Sequence, residues 1–412
     1  MKRIILIFLI ALNQTSFSQD KSINFNSEIN IEANAINGAI INEVFTSGYL
    51  NNNLKNKIIS LNDHHHVINF FINSSFVYRE KINNVLSYKF SFSDVNHANT
   101  KFDNNILKLF LKGNAQFENE KLDFTKTNIR VNRYQQFKLF LDYQKETYGF
   151  GLGLSYVYGN HNLTLISKKG SIYTAPNGEY LDLNYDINSF VTDTSNLSPF
   201  EHNGNGISLD LTGSLKFLKH KLDLYILDLG YINWNNNSQN IFLDSTFTFN
   251  GIEVDNIFDF NDSILEISNI ADQYDNINQE NSTYKSYLCS NLGIMISKKV
   301  KNKNFGMITY GLNAKWQPYL DNKKLSLKKI RQGFKQSNYS PFYYIRTEII
   351  ASKISIIPKI AYGGYNENFN FDLSLLLKRK FSFALGTQHL ESLFSKEYAR
   401  GIGLYFKIYT TL

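Results

Sequence analysis

The sequence predicts an all-β fold: a transmembrane antiparallel β-barrel of about 14 strands (12–16) with an N-terminal plug-like segment. Three observations carry this. Large apolar residues alternate with small or polar ones at a period of two along most of the chain, which places them on opposite faces of strands. The composition is aromatic yet poor in charge, with 33 Phe and 26 Tyr against 2 Trp, and 19% charged residues, below the roughly 25% of soluble domains. Mean hydropathy is nevertheless −0.29. No run approaches the roughly 20 apolar residues of a spanning helix; the longest is Ile4–Leu12.

The elements follow in order. Met1-Lys2-Arg3, the apolar run and Ser16-Phe17-Ser18 read as a signal peptide over 1–18. Removing Lys2 and Arg3 takes the net charge from +7 to +5. Residues 19–66 precede the clear alternation and are expected to form a plug or periplasmic segment, with the outer-membrane β-barrel over 67–412. The clearest strand is Tyr148–Gly159, where Tyr148, Phe150, Leu152, Leu154, Tyr156 and Tyr158 alternate with residues that are almost all Gly or Ser. The same period recurs at 68–79, 86–93, 207–217, 308–316 and 402–412. Leu163–Tyr173, Tyr180–Phe190 and Ile241–Phe249 are weaker strand candidates. Strands of about ten residues, apolar on one side and polar on the other, are the pattern of a barrel in lipid. A last strand running to Leu412 fits closure against the first. Lys219-His220-Lys221, Lys298–Lys303 and Lys378-Arg379-Lys380 read as basic short turns.

Few residues suggest chemistry. His64-His65-His66 would put two imidazoles on one strand face, one short of the three protein ligands of a catalytic zinc, so no metal site is expected. Cys289 is the sole cysteine; it excludes an intramolecular disulfide and reads as a packed strand residue. Residues 222–284 carry eleven acids and no Lys, Arg or His, and Gly251–Thr283 reads as a long acidic outward loop without EF-hand spacing. Asp244-Ser245-Thr246 and Asp262-Ser263-Ile264 match a short O-glycosylation acceptor pattern. Asp228-Leu229-Gly230 interrupts the alternation begun at Leu222, Leu224 and Ile226 and predicts a bulge, with Trp234 in the interfacial girdle. Gly204 and Gly206 permit a tight strand entry, and Asp210 is expected to face the lumen. No Gly-x-Ser-x-Gly is present, and no catalytic residue or cofactor is expected. Ligand-binding residues stay unassigned. Nucleic acid is not an expected partner; outer-membrane lipids and other envelope proteins are.

Ile106–Asn114, Phe117, Lys121–Phe124, Asn128-Ile129 and Tyr134, read as helix, Gly-Asn turn and strand, resemble a stretch of Bacteroidota outer-membrane barrels. Gly204–Leu211 leading into Leu222–Trp234 resembles the core of an uncharacterised domain family. Its members are similar to long-chain fatty-acid transporter (FadL-like) barrels and to PorP/SprF-type barrels. The resemblance implies a barrel in the outer membrane of a Gram-negative bacterium, with a structural or accessory role linked to type IX secretion or gliding. The alternative it implies is a FadL-like transporter of hydrophobic or small solutes, with Asp228-Leu229-Gly230 as the kink beside a lateral opening.

Overall fold

The computed structural model describes residues 21–412 apart from 36, 39, 41–50, 61–64, 194, 196–197, 251–276, 303, 319–326, 380 and 396–398. The signal peptide, His64, Asp262-Ser263-Ile264 and most of the acidic loop lie outside the described residues. Strands are numbered β1–β19 in chain order. Fourteen of them close a single antiparallel barrel: β1 (Lys21–Ala33), β2 (His65–Lys81), β3 (Leu86–Asp103), β5 (Asn128–Gln144), β6 (Tyr148–Thr174), β8 (Gly204–Phe217), β9 (His220–Trp234), β13 (Ser290–Lys299), β14 (Phe305–Trp316), β15 (Ser340–Ala351), β16 (Ile354–Gly364), β17 (Asn368–Leu377), β18 (Phe381–Gln388) and β19 (Gly401–Thr411). β1 pairs with β19 on one side and β2 on the other, which closes the ring.

This corrects the start of the expected plug segment 19–66. Residues 21–33 are barrel wall. Phe25 and Ile29 point outward and are more than a third exposed, while Ser22 and Glu32 are buried. The segment KSINFNSEINIEA alternates as the later strands do, but its polar face is Asn and Glu and its outward face is broken by Ser27. The helix Asn52–Ser60 follows in the same segment. Its Ile58 packs with Ile40 and with Leu111 of the helix Asn104–Lys112. That second helix is the expected one: Asp103 caps its start by accepting from the Asn105 amide, and Gly113 closes it at φ 75, the left-handed conformation that glycine adopts without strain.

Residues 82–85, 145–147, 218–219, 300–304, 352–353 and 378–380 connect strands at the end that also holds β1's start and β19's end. Short turns of such barrels face the periplasm, so the basic turns are periplasmic and the longer connections face outward. At the outer end β6 runs past the barrel. Its upper half pairs with β7 (Leu181–Val191), which pairs with β10 (Gln239–Phe249) and so with β11 (Ile277–Asn281). Two of the weaker strand candidates thus exist as an outward flap, and the third is the extension of β6. β4 (Lys121–Asp123) and β12 (Lys285–Tyr287) add short pairings to β6 and β9.

The outward face is apolar, as lipid requires. Phe150, Leu154, Ile207, Tyr310, Phe369 and Leu385 are each more than half exposed. Backbone groups in lipid must pair within the protein, and the closed ladder pairs them. The described helices include none long and apolar enough to cross a membrane. A closed 14-stranded barrel with this belt is an outer-membrane β-barrel of a Gram-negative bacterium.

The predicted bulge is present and relocates Trp234. Between Leu209↔Leu229 and Leu211↔Ile226 the β8–β9 register shifts, and Asp228 sits at φ 57. One extra residue exchanges the two faces of a strand. Leu222, Leu224 and Ile226 therefore face lipid below the bulge, whereas Ile232 and Trp234 turn inward above it. Trp234 is fully buried, with its indole N–H donating to Ser286 Oγ at 2.8 Å; the expected girdle position is corrected. Trp316 is likewise buried, beneath the helix Leu327–Gln336, and donates to the Ile330 carbonyl.

Small residues on the lumen face accommodate large neighbours. The Tyr225, Tyr344 and Tyr405 rings lie across Gly293, Gly311 and Gly386, where a Cβ would overlap them. Gly311→Val should therefore cost about 1–3 kcal/mol through overpacking, measured as a lowered urea midpoint of the purified barrel. An unchanged midpoint would show that the Tyr344 ring moves aside freely.

Candidate functional site

The functional interior is assembled from alternate residues of the strands. In β5 the inward series is Gln136, Lys138, Phe140 and Asp142, in β8 it is Ser208, Asp210 and Thr212, and the bulge of β9 adds Asp228 to the same region. Lys138 Nζ lies 2.5 Å from Asp210 Oδ2 and 2.9 Å from Asp228 Oδ1. The Asp228 amide donates to Asp210 Oδ1 at 2.8 Å, and Gln136 Nε2 donates to Asp228 Oδ1 at 2.7 Å. The ionic cluster thus holds the bulge from the lumen side, with Asp210 as the most buried member.

Above this cluster the lumen is roofed by segments that fold in from the outer end. Asn338, just before β15, crosses the barrel to donate to Asn99 and Asn128 at 2.6 and 2.9 Å. Arg130 on β5 donates to the carbonyls of Gln317 and Gln336 from the opposite side. Tyr284 donates to Asn162 at 2.7 Å and packs with Val95, Tyr134, Val157, Ile232, Trp234 and Leu288 in the apolar core of this roof. Tyr365, which is buried, lies 3.4 Å from His97 Nε2 and 3.7 Å from Cys289 Sγ. Cys289 sits in the break between β12 and β13 rather than within a strand. The sequence carries no signal for the roof, because the bonds that cross it, from Asn338 to Asn99, Arg130 to Gln317 and Tyr284 to Asn162, join residues more than 100 positions apart.

Two chambers lie in the lumen. The upper one, about 400 Å³, is lined by Glu28, Asn73, Asp228, Lys315, Tyr339 and Lys359 among others. The lower one, about 600 Å³, lies nearer the short turns and is lined by Asp142, Lys221, Asp223, Tyr225, Arg346 and Glu348 among others. Both are polar. Two clefts of about 520 Å³ with largely apolar linings lie elsewhere; one brings Leu211, Leu224, Ile226, Ile294 and Leu312 of the lipid-facing wall together with Phe334.

The histidines are used structurally. His65 faces Glu367 at 3.7 Å, and His66 bonds Asn104 at 2.9 Å and stacks on Phe102. The neighbouring His65 imidazole, with donors from Asn34 and Ser340, holds the Glu367 carboxyl down to about 2. Among the described residues no group of three or more His, Cys, Asp and Glu could hold a metal. His389, beyond the end of β18, lies between Glu32 at 3.4 Å and Glu391 at 3.2 Å. Burial opposes its charge, but hydrogen bonds to both carboxylates raise it to about 9.

A closed barrel with a lipid-facing apolar belt and an inward roof defines an outer-membrane β-barrel. The chain belongs to a family of unknown function, DUF5723, whose model matches residues 11–366. No curated protein matches the sequence. Solved structures that resemble the fold include the Ralstonia pickettii toluene transporter TbuX, with TM-score 0.44 and 9% identity over 96% of this chain and 90% of that one. A Pseudomonas aeruginosa FadL homologue has TM-score 0.41 and 9% identity over 95% and 89%. A TodX monoaromatic hydrocarbon channel lacking S2 and S3 has TM-score 0.47 and 5% identity over 95% and 91%.

Two outcomes are expected. Lys138→Met leaves Asp210 and Asp228 without their cation and should destabilise the barrel by about 3–5 kcal/mol, read by urea titration; a loss below about 1 kcal/mol would show the cluster to be solvated. The His389 charge stabilises the fold fully below the ordinary histidine range of about 6.5, and this contribution is lost as pH rises through about 9. The urea midpoint should therefore fall between pH 7 and 10, and His389→Gln should flatten that slope.

Proposed function

We propose that the protein is a FadL-like outer-membrane transporter that takes a small solute through the barrel interior. The observation that carries this is the pair of polar chambers in the lumen beneath a roof built from outward loops. A purely mechanical barrel gains nothing from chambers lined with unpaired polar groups, since buried polar atoms cost free energy unless they are bonded. The bulge at Asp228, beside the break between β12 and β13, is where this wall departs from a regular ladder. It supplies the kink that a lateral exit would use. The polar lining favours the small-solute form of the reading over the hydrophobic one.

The test is reconstitution of the full barrel in planar bilayers and in liposomes. Wild type should show small or rare conductance, because the roof crosses the lumen. The double substitution Asn338→Gly with Tyr339→Ala should raise conductance several-fold and permit liposome swelling with small solutes. A variant that folds, judged by heat-modifiable gel migration, yet stays as closed as wild type would sink the reading.

A second reading is a structural or accessory barrel serving secretion or gliding machinery. The cross-braced roof of Arg130, Asn338 and Tyr284 favours it, since such bracing suits a rigid, sealed platform. Recovery of envelope proteins on co-purification from native membranes, with no conductance from either barrel, would favour it instead. Neither reading assigns catalysis.

A further inference from the structure

The upper chamber is lined by both cations and carboxylates. On one wall, Lys315 projects among the faces of Tyr365, Tyr339 and Phe71, 4.8, 5.1 and 5.7 Å from their centroids. No carboxylate of the described residues comes within 4 Å of its ammonium. Aromatic faces attract the cation sideways but neutralise no charge, so its remaining side addresses the cavity. Lys359 on the same wall is paired with Asp372. Lys407 lies close enough, with Lys315 and Lys359, to act on Glu28. Glu32, which also lines the chamber, faces His389, so Lys315 is the cation here whose close contacts are aromatic.

Asp228 brings a carboxylate to the same chamber. Asp210 and Asp228 share the single cation Lys138, which leaves one negative charge. Asp228 lines the chamber, and both bonds to its carboxylate from Gln136 and Lys138 fall on Oδ1. Its Oδ2 takes no hydrogen bond from the described residues. Between the walls, Asn30 and Asn73 also line the chamber, and the buried Oδ1 of each lacks a hydrogen-bond partner. Buried acceptors of this kind call for a donor.

From this juxtaposition we infer that the upper chamber binds a small zwitterion of the α-amino acid or short-peptide class, its carboxylate on Lys315 and its ammonium on Asp228. Peptide or side-chain N–H groups of the solute meet the Asn30 and Asn73 acceptors, and the aromatic faces of Tyr339 and Phe71 flank it. The chamber volume of about 400 Å³ lies within the roughly 300–1,000 Å³ of small-molecule sites. This inference rests on the transport reading and names the solute class.

The test is isothermal titration calorimetry of the full barrel in detergent with two probes, glutamine and triglycine. Each is compared with its end-capped form, N-acetylated and amidated. Binding of either zwitterion, at least tenfold tighter than its capped form, is the expected result. Lys315→Met should weaken it tenfold or more, and Asn73→Ala severalfold. Heat-modifiable migration reports whether each variant folds, and the capped probes test the same charges on unaltered protein. Failure of both zwitterions to bind, or equal binding of the capped forms, overturns the inference. If the roof variant conducts while neither zwitterion binds, the transport reading survives and the solute class falls. If nothing conducts and nothing binds, both fall.

Discussion

The constraint on which the structure depends is that a peptide backbone in lipid has no water to bond. Every strand must have two neighbours, and the last must return to the first. Here β19 meets β1 along eleven residue pairs from Ser22↔Thr411 to Glu32↔Gly401. Once the ring is closed, side chains need only obey inside and outside. Phe, Leu, Ile and Tyr go out, and Ser, Asn, Gly and balanced charge go in. The contradiction between abundant aromatics and hydrophilic average composition is a direct result of this division.

Much of that was legible in the sequence. Alternation at Tyr148–Gly159, 207–217 and 402–412 identified walls, and the basic clusters identified turns. What failed did so for local physical reasons. β1 was passed over because Ser27 weakens its outward face and a thirty-residue excursion separates it from β2. Trp234 was placed outside because alternation was extended through the bulge, and one extra residue reverses the face of everything beyond it. The bulge itself is legible at Asp228-Leu229-Gly230, and the face of the following residues depends on how many residues it inserts.

The interior site was almost illegible. Lys138, Asp210 and Asp228 come from three strands, and only the inward direction of Asp210 could be read beforehand. Lys315, Phe71, Tyr339 and Tyr365 converge from four places in the chain, two of them loops that double back into the lumen. Barrel patterning fixes which face a side chain occupies. It says nothing about which residues meet across the lumen, because that depends on strand stagger and on loop paths that follow no period.

The basic turns have a consequence of their own. Leu218-Lys219 and Ser352-Lys353 are two-residue connections, so their lysines are held at a fixed height relative to the wall. Phosphate headgroups of the inner leaflet lie at that height, well inside the Debye length of about 8 Å at physiological ionic strength. The barrel is thus moored vertically at one end by cations that cannot slide. At the other end the wall is tied across the lumen by the bonds of Arg130, Asn338 and Tyr284. The two rims are therefore fixed by different means, one by charge against the leaflet and the other by bonds from wall to wall.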